Sequence, residues 1–168
     1  MFSIATVDLL DPVRPIRHGT FNTRPINKAA LHNLVQIMES AGVHSNLYST
    51  AIPILASPEH IDPSSIFTDI TKINQAPELK LSEKGELEVE KFFAAGGNHR
   101  TAAIGVLNER LESRIEQLES EIKTKEEKNS NKSKSKARLE ELRQELGTLK
   151  AKKGELGKWT VLLYDEGK

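Results

Sequence analysis

Residues 92–103 read Phe92-Phe93-Ala94-Ala95-Gly96-Gly97-Asn98-His99-Arg100-Thr101-Ala102-Ala103. An apolar strand runs into a Gly-Gly corner, and a helix begins at once. Glycine lets the backbone turn tightly and approach a ligand closely. The first N–H groups of the helix have no partner within it, and the positive end of its dipole lies behind them. Arg100 adds a planar fork suited to phosphate, and His99 a donor that titrates near neutrality. The stretch reads as a phosphate cradle. Its plainer reading is an ordinary strand-to-helix corner capped by Asn98. No Lys-Ser or Lys-Thr follows the glycines, as a P-loop requires, and the third spaced glycine of a dinucleotide fingerprint is missing.

Working outward, the upstream chain alternates short apolar runs with punctuation. Phe2 to Leu10 predicts a strand closed by Asp11-Pro12, and Pro15 to Pro25 an irregular loop carrying His18, Asn22 and Arg24. Asn27 suits a helix cap, and Ala30, Leu31, Leu34, Val35 and Met38 recur at helical spacing until Gly42. His32 and His44, on or just past that helix, read as ordinary surface or core histidines. Ala51 to Ala56 predicts a strand buried on both faces. Asp62-Pro63 predicts a helix start with Ile66, Phe67 and Ile70 on its inner face, and residues 79–93 a hairpin turning at Ser82-Glu83-Lys84-Gly85.

Downstream, Leu107, Leu111, Ile115, Leu118 and Ile122 step by three and four residues, and Leu139, Leu142, Leu146 and Leu149 resume the pattern. Between them Asn129-Ser130-Asn131 is the one break. This predicts an antiparallel coiled-coil hairpin ended by Gly154 and Gly157, after which Trp159 to Tyr164 returns as an apolar, central strand. The seven prolines all lie within residues 1–105, and residues 106–158 are rich in Glu, Lys, Arg and Leu. The expected division is therefore a globular domain from 1–105 plus 158–168, with residues 106–157 as a helical insertion. The expected fold class is α/β (α+β), a small mixed sheet with that hairpin inserted.

The segment from Glu88 to Ala103 resembles the signature of the ParB/sulfiredoxin-like fold family, where a strand leads into a Gly-x-(His/Arg)-Arg turn and a helix with small residues. The run Arg14-Pro-Ile-Arg-His-Gly-Thr-Phe-Asn-Thr-Arg24-Pro-Ile resembles the Asn-Pro-Arg-like box that precedes the family's first helix. The resemblance implies that Gly96, Gly97, Asn98, His99 and Arg100 hold the phosphates of a nucleoside triphosphate, ATP or CTP, with Thr101 as a further hydroxyl donor. Arg24 then faces the same pocket, with His18 and Asn22 as weaker candidates. Mg²⁺ would arrive with the nucleotide.

Departures from the family limit the activity. Sulfiredoxins place a catalytic cysteine before the His-Arg pair; Asn98 stands there and the chain has no cysteine, so sulfinic-acid reduction is excluded. ParB clamps carry Glu-Arg-Arg and continue into a helix-turn-helix, which this chain replaces with the hairpin. Free-serine kinases of the fold use a Gly-His-His-Arg turn and an acidic base, for which Glu88, Glu90 and Asp69 are the candidates. Two readings stay open. One is a nucleotide-binding domain acting as an NTPase or phosphoryl-transfer enzyme. The other is a non-catalytic scaffold whose hairpin docks a protein partner.

Composition bounds the partners. Lys plus Arg and Asp plus Glu each number 24, so no global field draws the chain to nucleic acid or an anionic membrane. Residues 123–138 are locally basic, but no aromatic side chain interleaves them, which argues against nucleic-acid binding. The five histidines show no ligand spacing, so a protein-held metal is not expected. No apolar run is long enough to span a bilayer, and the first residues lack the pattern of a signal peptide. The expectation is an intracellular, soluble protein of cytoplasm or nucleus, without a membrane partner.

Overall fold

A computed structural model describes residues 2–13, 16–19, 25–88, 92–128 and 133–165. Its strands are β1 (Phe2–Asp8), β2 (Arg17–His18), β3 (Ile52–Ala56), β4 (Phe93–Ala94) and β5 (Lys158–Asp165). Its α-helices are α1 (Lys28–Ala41), α2 (Glu83–Leu87), α3 (Asn98–Lys128) and α4 (Ser133–Leu156). The strands form one mixed sheet in the order β1-β5-β3-β4-β2. An α/β chain with a small mixed sheet is what the sequence predicts.

β5 lies inside that sheet because it can be covered on both faces. Trp159, Thr160, Val161, Leu162 and Leu163 are all buried. The strand runs antiparallel to β1, from Phe2 opposite Tyr164 to Asp8 opposite Lys158, and parallel to β3, from Ile52 opposite Val161 to Ala56 opposite Asp165. Ile4 and Leu162 face each other across the β1–β5 ladder and cluster with Ala51, under Phe67, Ile73 and Ala76. The one polar atom of the Trp159 ring is satisfied, since its Nε1–H donates to the Thr50 carbonyl at 2.9 Å.

β1 would present a bare edge, and residues 67–79 cover it. The Ile4 and Phe67 backbones exchange two hydrogen bonds (2.7 and 3.0 Å), and Thr6 N–H donates to the Pro77 carbonyl at 2.7 Å. This pairing overrides the helix predicted after Asp62. Asp62 does cap, accepting from Ser64 N–H at 2.9 Å, but only one 3₁₀ turn follows (Pro63–Ser65) before Phe67 extends along β1. A second 3₁₀ segment spans Ile70–Gln75.

The hairpin predicted over residues 79–93 is also replaced. Ser82 acts as a helix cap rather than a turn residue, its Oγ accepting from Gly85 N–H at 3.1 Å, and α2 begins with Glu83 and Glu86 in its first turn. Gly85 packs so closely on His60 that a Cβ there would overlap the His60 carbonyl oxygen. Val89, Glu90 and Lys91 lie outside the described residues; Leu81 makes an isolated bridge to Ile61, and Phe93 and Ala94 pair as strand.

The chain separates into two compact units, residues 1–104 with 157–168, and residues 105–156. In the second unit Leu118, Ile122 and Leu142 form a buried cluster, against which Leu146 and Leu149 pack. Among the described residues four ion pairs bridge the two helices, each at 2.7 Å: Glu112–Lys153, Arg114–Glu145, Glu119–Lys150 and Glu126–Arg143. From Glu112–Lys153 through Glu119–Lys150 to Glu126–Arg143, residue numbers rise on α3 as they fall on α4, which defines an antiparallel helical hairpin. Asn129, Ser130 and Asn131, its expected tip, lie outside the described residues. Among the described residues no helix is long and apolar enough to cross a membrane.

Because the hairpin buries its own apolar seam, deleting residues 112–153 and joining the ends with a short Gly-Ser linker is expected to leave the sheet unit folded, with a cooperative urea transition. Within the intact chain, Leu142→Ala should cost about 2–5 kcal/mol of hairpin stability, read as lost amide protection in α3 and α4.

Candidate functional site

The glycine corner is positioned by the sheet. Ala94 of β4 sits between Ile54 of β3 and His18 of β2, and Ala95 N–H donates to the Pro53 carbonyl at 2.9 Å. The backbone then turns through Gly97 at φ 90°, a conformation that L side chains rarely adopt. A Cβ on Gly97 would also stand 2.9 Å from Ile52 Cγ1. Two separate constraints, backbone conformation and the proximity of β3, thus require glycine here.

α3 starts immediately afterwards. Its first helical hydrogen bond runs from Thr101 N–H to the Gly97 carbonyl at 2.9 Å, so Asn98, His99 and Arg100 form the opening turn. The His99 and Arg100 N–H groups meet no acceptor among the described residues. The side chains are engaged differently from what the resemblance implies. His99 Nε2 accepts the backbone N–H of Asn27 at 2.9 Å, while Asn27 Oδ1 caps α1 by accepting from Ala29 and Ala30. Among the described residues Arg100 Nη2 reaches only the Ser49 carbonyl, at a long 3.4 Å. Asn98 is half-buried at the first helical position.

Two polar groups in this region are shielded yet lack partners among the described residues. Both ring nitrogens of His18 and the Thr101 hydroxyl are closed off from solvent, and none makes a hydrogen bond to a described residue. Burial pushes the His18 imidazole below its ordinary value of 6.5; a nearby Gly96 backbone group opposes this without the geometry of a hydrogen bond. Shielded polar groups without partners are rare in native proteins, and they give this corner a chemical demand that an ordinary strand-to-helix junction lacks.

The structure thus brings Gly96, Gly97, Asn98, His99, Arg100 and Thr101 onto one turn, with His18 on the adjoining strand. Arg24 and Asn22 lie outside the described residues. Of the carboxylates considered as bases, Asp69 caps its own 3₁₀ segment, accepting from the Thr71 hydroxyl (2.6 Å) and N–H (3.0 Å), which lowers its pKa. Glu88 bonds His60 Nε2 at 2.8 Å, and Glu90 is not described. His60 itself carried no sequence signal. It is almost fully buried, tilts against Phe92, and presses its carbonyl on Gly85, so its role is visible only once residues 57–92 are folded together.

Among the described residues no group of three or more His, Cys, Asp or Glu side chains is placed to hold a metal ion. A concave surface along α3, lined by Ser113, Gln117, Ser120 and Thr124 among others, shares no residue with the turn. Comparison with protein-family models, with curated proteins and with solved structures finds no match to this chain.

The half-buried His18, whose pKa is lowered by burial, sets a pH dependence. Below about 6.5 the unfolded chain binds a proton at this position more readily than the native one, so native stability falls as pH drops. Urea unfolding of the parent should show that loss on acidification below 6.5, and His18→Gln should flatten it.

Proposed function

We propose that this chain is a nucleoside-triphosphate-binding module that takes the phosphates, of ATP or CTP, at the turn formed by residues 96–100. The observation that carries this reading is the coincidence of three features at one corner. The first is a long helix whose His99 and Arg100 N–H groups meet no acceptor among the described residues. The second is a glycine that admits close approach. The third is a pair of shielded, unpartnered polar groups, on His18 and Thr101. A phosphate oxygen answers all three, since it accepts hydrogen bonds and is favoured by the positive end of the helix. Arg100, which among the described residues makes one long hydrogen bond, can turn to a phosphate at little cost. Mg²⁺ would enter with the nucleotide rather than be held by the protein.

Binding is favoured over phosphoryl transfer. Asp69 is committed to its cap and Glu88 to His60, so neither stands ready as a general base. The hairpin, with its apolar seam already satisfied, offers a polar outer surface for a protein partner, and the scaffold reading is compatible with nucleotide binding on this basis.

Titration calorimetry with ATP and CTP, with and without Mg²⁺, tests the proposal. Arg100→Ala should remove a charge-assisted contact worth about 1.5–3 kcal/mol, weakening binding roughly 10- to 150-fold. Equal affinity for the variant and the parent would reject the site. Lack of nucleotide binding by the parent at millimolar concentration would leave the scaffold reading alone.

A further inference from the structure

The hydrogen bond between Asn27 and His99 fixes a protonation state. A backbone amide can only donate, so Nε2 of His99 must be the bare acceptor and the ring is neutral, with its proton on Nδ1. This bond joins the turn to the start of α1, because Asn27 is also the residue whose side chain caps that helix. The ring sits in the first turn of α3, at the positive end of that helix. Arg100, next to it in the chain, and Lys28, next to Asn27 at the start of α1, are both cationic, so the charges adjoining this bond in the chain are positive. His99 makes no ion pair among the described residues.

An anion at the turn reverses that balance. We propose that His99 is a proton-gated clasp. Neutral, it holds the Asn27 amide. When a phosphate-class dianion enters the 96–100 turn, Nε2 takes a proton from solvent, releases Asn27, and donates to the anion. The inference rests on the anion site proposed above and adds its regulation: ligand binding consumes a proton and detaches the clasp on α1. By linkage, proton and anion strengthen each other's binding to the same degree. Affinity therefore rises as pH falls through the range in which imidazole titrates.

Sulfate is the probe of choice, since its charge is constant over this range whereas phosphate itself titrates. With the full chain at constant ionic strength, sulfate should bind about tenfold more tightly near pH 5.5 than near pH 8. Calorimetry in buffers of different ionisation enthalpy should show net proton uptake on binding. Nitrogen-15 spectra of labelled histidine should place that proton on His99 rather than His18, and the Asn27 amide resonance should move on sulfate addition. His99→Gln retains a neutral acceptor for Asn27, so it should fold normally and bind sulfate without proton uptake. Binding without proton uptake, uptake assigned to another histidine, or a stationary Asn27 amide would each overturn the clasp while leaving the anion site intact. Absence of sulfate binding at both pH values would overturn the anion site and the clasp together.

Discussion

The pairing of β5 between β1 and β3 is the interaction on which the sheet unit depends. It joins residues 158–165 to the opening residues of the chain on one side and to residues 52–56 on the other. Every consequence for the corner follows from it. β3, held by β5, presents Ile52 to Gly97 and the Pro53 carbonyl to Ala95, and so fixes where the backbone leaves the sheet and where α3 begins. The buried run from Trp159 to Leu163 supplies the apolar burial that holds this arrangement, at roughly 25 cal/mol per Å² of apolar surface removed from water. It also explains how the chain accommodates the excursion of residues 105–156, since the strand that follows is anchored by two neighbours.

At the corner, local chemistry and tertiary constraint meet. A helix start is a generic source of open N–H groups, and by itself it indicates little. Here it coincides with polar side chains withdrawn from solvent without partners, which a stable fold tolerates only at some cost. The same corner is bound to α1 through His99 and Asn27, so a group that sequence reasoning assigns to the ligand already has a structural partner.

The elements legible in the sequence are those with a strong period or strong punctuation. The α1 pattern ending at Gly42, the apolar strands β3 and β5, and the Gly96-Gly97 break before a helix all follow from residues close in the chain. The misread elements are short, and contacts distant in sequence decide them. Phe67 extends because the β1 edge captures it, and residues 83–87 form a helix because Ser82 caps them and Gly85 fits under His60. A short apolar run cannot declare its partner, so its local preference yields to the neighbour it meets.

For the candidate site the division is similar. Sequence alone determined that residues 96–101 form a glycine-led helix start bearing a histidine and an arginine, because φ preference, capping and helix polarity are local properties. Only the tertiary structure decided that Gly97 lies against Ile52, that His18 is shielded beside the turn, that His99 is bound to Asn27, and that Glu88 belongs to His60. Those facts depend on which strands become neighbours. Burial of β5 selects that arrangement, through contacts between residues as far apart as Phe2 and Tyr164 that no local pattern encodes.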